Sequence, residues 1–69
     1  MPLTMAKAGN ENLIKRIGGK AETKQFLESL GFVVGGAVTV ITEIGGNVIV
    51  TVKDSRIAVS REMANKIMI

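Results

Sequence analysis

Apolar and polar residues alternate most regularly in AVTVITEI (37–44) and NVIVTVK (47–53). That period of two predicts a pair of strands forming a hairpin. The apolar rows are Val38, Val40 and Ile44, with Thr42 in line, and Val48, Val50 and Val52. Opposed residues of an antiparallel pair share a face. A two-residue Gly45–Gly46 turn sets Ile44 opposite Asn47 and sends the two rows to opposite faces. A three-residue loop, Gly45–Gly46–Asn47, sets Ile44 opposite Val48 and unites them. The three-residue loop is therefore expected, with Asn47 or a glycine at positive φ. The other face of the hairpin then carries Thr39, Ile41, Glu43, Ile49, Thr51 and Lys53.

The period changes in KAETKQFLESL (20–30), where Thr23, Phe26, Leu27 and Leu30 recur at helical spacing without a β-branched run. Glu22 near the start suits the positive end of the helix dipole. Gly31 stands where a C-terminal cap needs positive φ, and apolar Phe32 follows, as in a Schellman-type stop. Phe32 is expected to fold back onto the helix, and Gly35–Gly36 to turn the chain sharply into the hairpin.

The remaining segments are short. Leu3 and Met5 alternate, so PLTMA reads as a strand with Pro2 at its start. AGN (8–10) is a turn cluster. ENLIKRI (11–17) reads as a strand ended by Gly18–Gly19, and a bulge near Lys15 would bend it and bring Ile14 and Ile17 to one side. Asp54 and Ser55 form a turn. RIAVS (56–60) is a strand with Ile57 and Val59 on one face. Ser60 suits the N-cap of a single helical turn, REMANK, and IMI ends the chain as a strand. The two ends, PLTM and KIMI, are both apolar and edge-like and are expected to pair. Short strands, one early helix and tight turns predict a mainly β domain with one to two short helices, a small, strongly bent barrel.

Length adds that residues 1–69 form a single domain. A chain this short buries only about 60% of its unfolded surface, so its core must be tight. Composition narrows the chemistry. Apolar residues make up 46% of the chain, which contains Phe26 and Phe32 but no Trp, Tyr, Cys or His. Disulfides and thiolate metal sites are excluded, and the commonest general base is missing. No apolar run approaches the ~20 residues of a membrane span. MPLTMAKAGNE lacks the basic-then-apolar order of a signal peptide. A cytoplasmic location is expected. The net charge of +3 permits an anionic partner without requiring one.

Several features together resemble the ferrous iron transport protein A family, FeoA. Leu27 and Leu30 close a helix; Gly31, Phe32, Val33, Val34 and Gly35 follow, then the alternating Val38 and Val40. The chain ends in RIAVSREMANKIMI, a strand, a short helix and a final apolar strand. The likeness spans PLTMAKAG to KIMI. Val34 stands where members often have proline. Lys24 and Phe26 stand where many have arginines. The resemblance implies an SH3-like barrel, like that in metal-dependent repressors of the diphtheria-toxin-repressor class. It also implies a cytosolic accessory protein of ferrous iron uptake. The expected partner is the cytosolic GTP-binding part of a FeoB-type membrane transporter, with the membrane reached only through that partner.

The side chains themselves offer little reactive chemistry. The carboxylates are Glu11, Glu22, Glu28, Glu43, Asp54 and Glu62. Ferrous iron is usually held by His plus carboxylate, and Met5, Met63 and Met68 are thioethers suited to Cu(I) or to a core. No metal site, cofactor or catalytic residue is expected. Ser29, Ser55 and Ser60 have no candidate base. Gly18–Gly19–Lys20 is too short for a phosphate-binding loop.

Lys15, Arg16, Lys20 and Lys24 form one basic group, and Lys53, Arg56, Arg61 and Lys66 another. A nucleic-acid-binding or regulatory small barrel is the rival reading. Single-strand binding calls for exposed aromatics, and both Phe residues read as core, so nucleic acid is not expected. Protein binding remains. Ile41 and Ile49 share the outer hairpin face with a polar rim that includes Lys53; these residues are the candidate partner-binding site.

Overall fold

The structure is a computed structural model that describes residues 1–69. A 3₁₀ turn (Leu3–Met5) is followed by β1 (Glu11–Leu13), β2 (Arg16–Ile17), α1 (Ala21–Ser29), β3 (Ala37–Ile44), β4 (Asn47–Val52), β5 (Ser55–Ser60), α2 (Arg61–Ala64) and β6 (Ile67–Met68). The strands make a four-stranded sheet, β1-β3-β4-β5, and a two-stranded one, β2-β6. All pairings are antiparallel. This is the expected SH3-like barrel.

The two sheets share one stretch of chain. β1 and β2 are separated only by Ile14 and Lys15. The Ile14 N–H donates to the Gly36 carbonyl and the Ile14 carbonyl accepts from Gly35 N–H, whereas Lys15 N–H donates to Met68. The chain thus leaves one sheet and joins the other at the bend expected near Lys15. Ile14 and Ile17 are both buried as a result.

α1 ends as predicted. Phe32 N–H donates to the Leu27 carbonyl and Gly31 N–H to that of Glu28, both at 3.0 Å. These are the paired bonds of a Schellman motif, with Gly31 at φ +107. Leu27 and Phe32 are fully buried together. Phe26 departs from the prediction: it is 50% exposed. Helical spacing marked a stripe as wide as Phe26, but this small core admits only the Leu27 side of the helix fully, with Leu30 half-buried against it.

The hairpin also departs from the prediction. Ile44 pairs with Asn47 across a two-residue turn, Gly45 and Gly46, both at positive φ. That is the favoured type I′ geometry. Parity is restored elsewhere: the register shifts between Val40 and Thr42, so Ile41 is an extra, bulged residue. Val40 opposes Val50 and Glu43 opposes Val48. The apolar rows therefore share a face as required, but through a bulge rather than a longer loop. Ile44 is turned outward and is 64% exposed.

The N-terminal segment is not a strand beyond its first residues. Met5 and Ala6 N–H groups donate to Pro2 and Leu3 carbonyls, curling the chain into the 3₁₀ turn. The curl drives Leu3 into the core and leaves Met5 exposed. The chain ends do pair: Met1 and Ile69 exchange backbone bonds and Pro2 bridges Met68. Ser60 caps α2, its Oγ accepting from Met63 N–H at 3.2 Å. The core holds 14 buried residues, all apolar, drawn from both sheets, α1, α2 and the 3₁₀ turn.

Candidate partner-binding surface

Because Val48, Val50 and Val52 point inward from β4, Asn47, Ile49 and Thr51 point outward. The ladder then sets whole rows across the sheet. Glu11, Thr39, Thr51 and Arg56 lie side by side on β1, β3, β4 and β5. The next outward row is Thr42, Ile49 and Ala58. Beyond it, Ile44, Asn47 and Ser60 form the row at the hairpin end. The bulge adds Ile41 to the Ile49 side, because two residues of β3 face one of β4 there.

The structure sets Thr42, not Ile41, opposite Ile49; Ile41 is the bulged residue beside that pair and also lines a depression at the edge of β3. Ile41 is 38% exposed and Ile49 is half-buried. Lys53 lies elsewhere. It occupies the β4–β5 turn at φ +49, and its stem runs beside Gly31. It belongs to the polar end of the face, with Glu11 and Asp54, around a shallow depression of about 230 Å³. The bulge also exchanges two residues relative to the expected register. Glu43 falls on the Val48 side and pairs with Arg61, while Ile44 joins Ile41 and Ile49 outside. The parity conflict between a Gly-Gly turn and the two apolar rows was the sequence signal for this exchange.

A second depression, of about 220 Å³, opens at the edge of β3 between Leu3, Ala6, Ala8, Val40, Ile41 and Val48. Both are smaller than the roughly 300–1,000 Å³ usual for small-molecule sites. No three carboxylates converge on one point. Serine hydroxyls serve the backbone: Ser29 Oγ donates to the Phe26 carbonyl and Ser60 Oγ caps α2. What the outer face offers is contact, an apolar cluster of Ile41, Ile44 and Ile49 bordered by the Glu11–Arg56 row.

The FeoA domain family model matches residues 1–69. The chain belongs to the FeoA family. A Methanocaldococcus jannaschii protein named as an Fe(2+) transport protein A is 40% identical over 68 residues, covering 99% of this chain and 83% of that one. The crystal structure of an iron uptake regulatory protein (FeoA) superposes with a TM-score of 0.90 at 25% identity, over 99% of this chain and 92% of the other. The solution structure of iron(II) transport protein A from Clostridium thermocellum matches at TM-score 0.91 and 23% identity, over 99% of this FeoA chain and 43% of that one. A manganese-dependent transcriptional repressor shares the fold at TM-score 0.85 and 17% identity, over 97% of this chain and 39% of the repressor. The expected likeness to a metal-dependent repressor is therefore one of fold. No helix of this FeoA chain is long and apolar enough to cross a membrane.

Proposed function

We propose that this FeoA-family protein is a cytosolic accessory of ferrous iron uptake that works by binding protein. Its partner in this reading is the cytosolic GTP-binding part of a FeoB-type transporter. The observation that carries the docking surface is the pair of exposed isoleucines Ile41 and Ile44 beside half-buried Ile49 on the β3–β4 hairpin. Apolar centres with polar rims are where partners bury contact area. Here the rim is Glu11, Thr39, Thr51 and Arg56 on one side and Asn47 with Ser60 on the other. Lys53 stands at the far polar end and would add charge steering more than affinity.

The test is binding of the purified cytosolic domain of the transporter, with and without GTP, measured by calorimetry. Ile41→Asp with Ile49→Asp is expected to weaken binding at least about ten-fold, since charges at an apolar contact are left unpaired. A double variant that folds normally and binds like the parent rejects this surface. No binding by the parent in either nucleotide state rejects the partner.

A further inference from the structure

The two-stranded sheet has an outer face of a different kind. Both sheets turn their inner rows onto one core, to which Val38 and Val50 of one and Ile17 and Ile67 of the other belong. Their outer faces therefore point away from each other. On β2-β6, Arg16 opposes Met68, and Gly18 N–H bonds the Lys66 carbonyl two residues further on. Arg16 and Lys66 thus stand as diagonal neighbours on the outside. Gly19 leaves room for the Lys66 stem, whose Cδ lies 3.2 Å from where a Cβ at that position would be and runs beside Thr23 at the start of α1. Lys20 is the extended residue just before α1, and Lys24 stands four residues on, in the helix. Lys15 flanks the sheet at the bend. Lys15, Arg16, Lys20 and Lys24 are exposed.

This group is gathered from separate parts of the chain and none of its cations is held in a salt bridge, although Glu22 stands between Lys20 and Lys24, and Glu28 and Glu62 one turn from Lys24 and Lys66. The two strands themselves, residues 12–18 and 66–69, contain no Asp or Glu. The salt bridge of this molecule joins Arg61 of α2 to Glu43 of β3, away from these cations. Glu11, Glu43 and Asp54 lie on or beside the four-stranded sheet, so the cations of this face outnumber the carboxylates near them and the face is positive.

We propose that this basic face docks on an anionic lipid surface. Its shape favours a flat partner. Neither surface depression touches it, one being lined by Leu3, Ala8 and Ile41 and the other by Glu11, Thr51 and Lys53. A single strand of nucleic acid needs a groove with stacking aromatics beside the cations. The exposed aromatic, Phe26, is two residues from Lys24, hence about 200° round the helix from it. Exposed Met1 and half-buried Met68 flank the cations and supply apolar contact at headgroup depth. This inference does not depend on the transporter reading. It has the chain touch the bilayer directly, rather than only through a partner.

The test is co-sedimentation of the full chain with protein-free vesicles of phosphatidylcholine, with or without about one-third phosphatidylglycerol. Binding is expected only to the anionic vesicles. It should be lost between about 0.1 M and about 1 M salt, where the Debye length falls from ~10 to ~3 Å. Arg16→Gln with Lys20→Gln should lower partitioning about 25-fold, at roughly five-fold per cation. Lys53→Gln with Arg56→Gln changes net charge equally on the opposite face and should leave binding near the parent level. Equal losses in the two variants overturn the proposal, as does no binding to anionic vesicles. Patch-dependent binding of a short DNA duplex without vesicle binding also overturns it, in favour of nucleic acid.

Discussion

Truncating the two aromatic residues should have very unequal effects. Phe32 is fully buried and is the largest such side chain in the core; Phe26, six residues earlier, is 50% exposed. Phe32→Ala removes the whole transfer contribution and leaves a cavity, which costs about 3–5 kcal/mol. Total stability for 69 residues is on the order of 3–10 kcal/mol. This one change therefore consumes a third or more of it and brings the domain close to unfolding. Phe26→Ala loses about half of a transfer contribution of roughly 1.5–3 kcal/mol. Alanine's better helix propensity returns several tenths. The net cost should be about 1 kcal/mol or less. With no Trp or Tyr in the chain, urea unfolding is best followed by far-UV circular dichroism. Similar slopes and clearly separated midpoints are expected. If Phe26→Ala destabilises as much as Phe32→Ala, the narrow helix contact described above is incorrect.

Other changes test the local geometry. Gly31→Ala should cost about 1–2 kcal/mol in the same urea titration, because φ +107 is strained for any L side chain while the nearest Lys53 and Val52 atoms leave ordinary room. A loss under a few tenths would argue against the Schellman stop. Gly45→Asn should be neutral or slightly stabilising, since Asn suits φ +56 in a type I′ turn. Inserting a glycine after Gly46 should lower the melting temperature by loosening that turn; a rise would favour the three-residue loop. Ser60→Ala removes the oxygen that accepts from Met63 N–H and should cost about 1 kcal/mol. Ser60→Asp should restore most of that stability, and failure to do so would place the stabilisation elsewhere.

Features held by neighbours in sequence were legible before the fold was known. The helix stop at Gly31 and Phe32 and the Ser60 cap depend on bonds spanning a few residues. The bend near Lys15 was legible because Ile14 and Ile17 had to be buried together. The barrel followed from short strands and tight turns, and the FeoA resemblance from the order of those same packing signatures. The outer face proposed for docking was only partly legible. Strand period put Ile49 on it, and the register keeps Ile49 there opposite Thr42. Ile44 was missed, because a single bulge at Ile41 inverts every residue between it and the turn.

The amino-acid sequence by itself therefore determined α1 and its stop, the main hairpin, the Ser60 cap and most of the inward valine rows, because these follow from backbone sterics and side-chain period over short distances. Tertiary structure alone decided the rest. It chose where the extra hairpin residue sits, how little of α1 the core accepts, and which cations meet. Arg16, Lys20 and Lys66 become one surface only when β2 pairs with β6. Burial area and strand register are properties of the assembled chain, and no local window contains them.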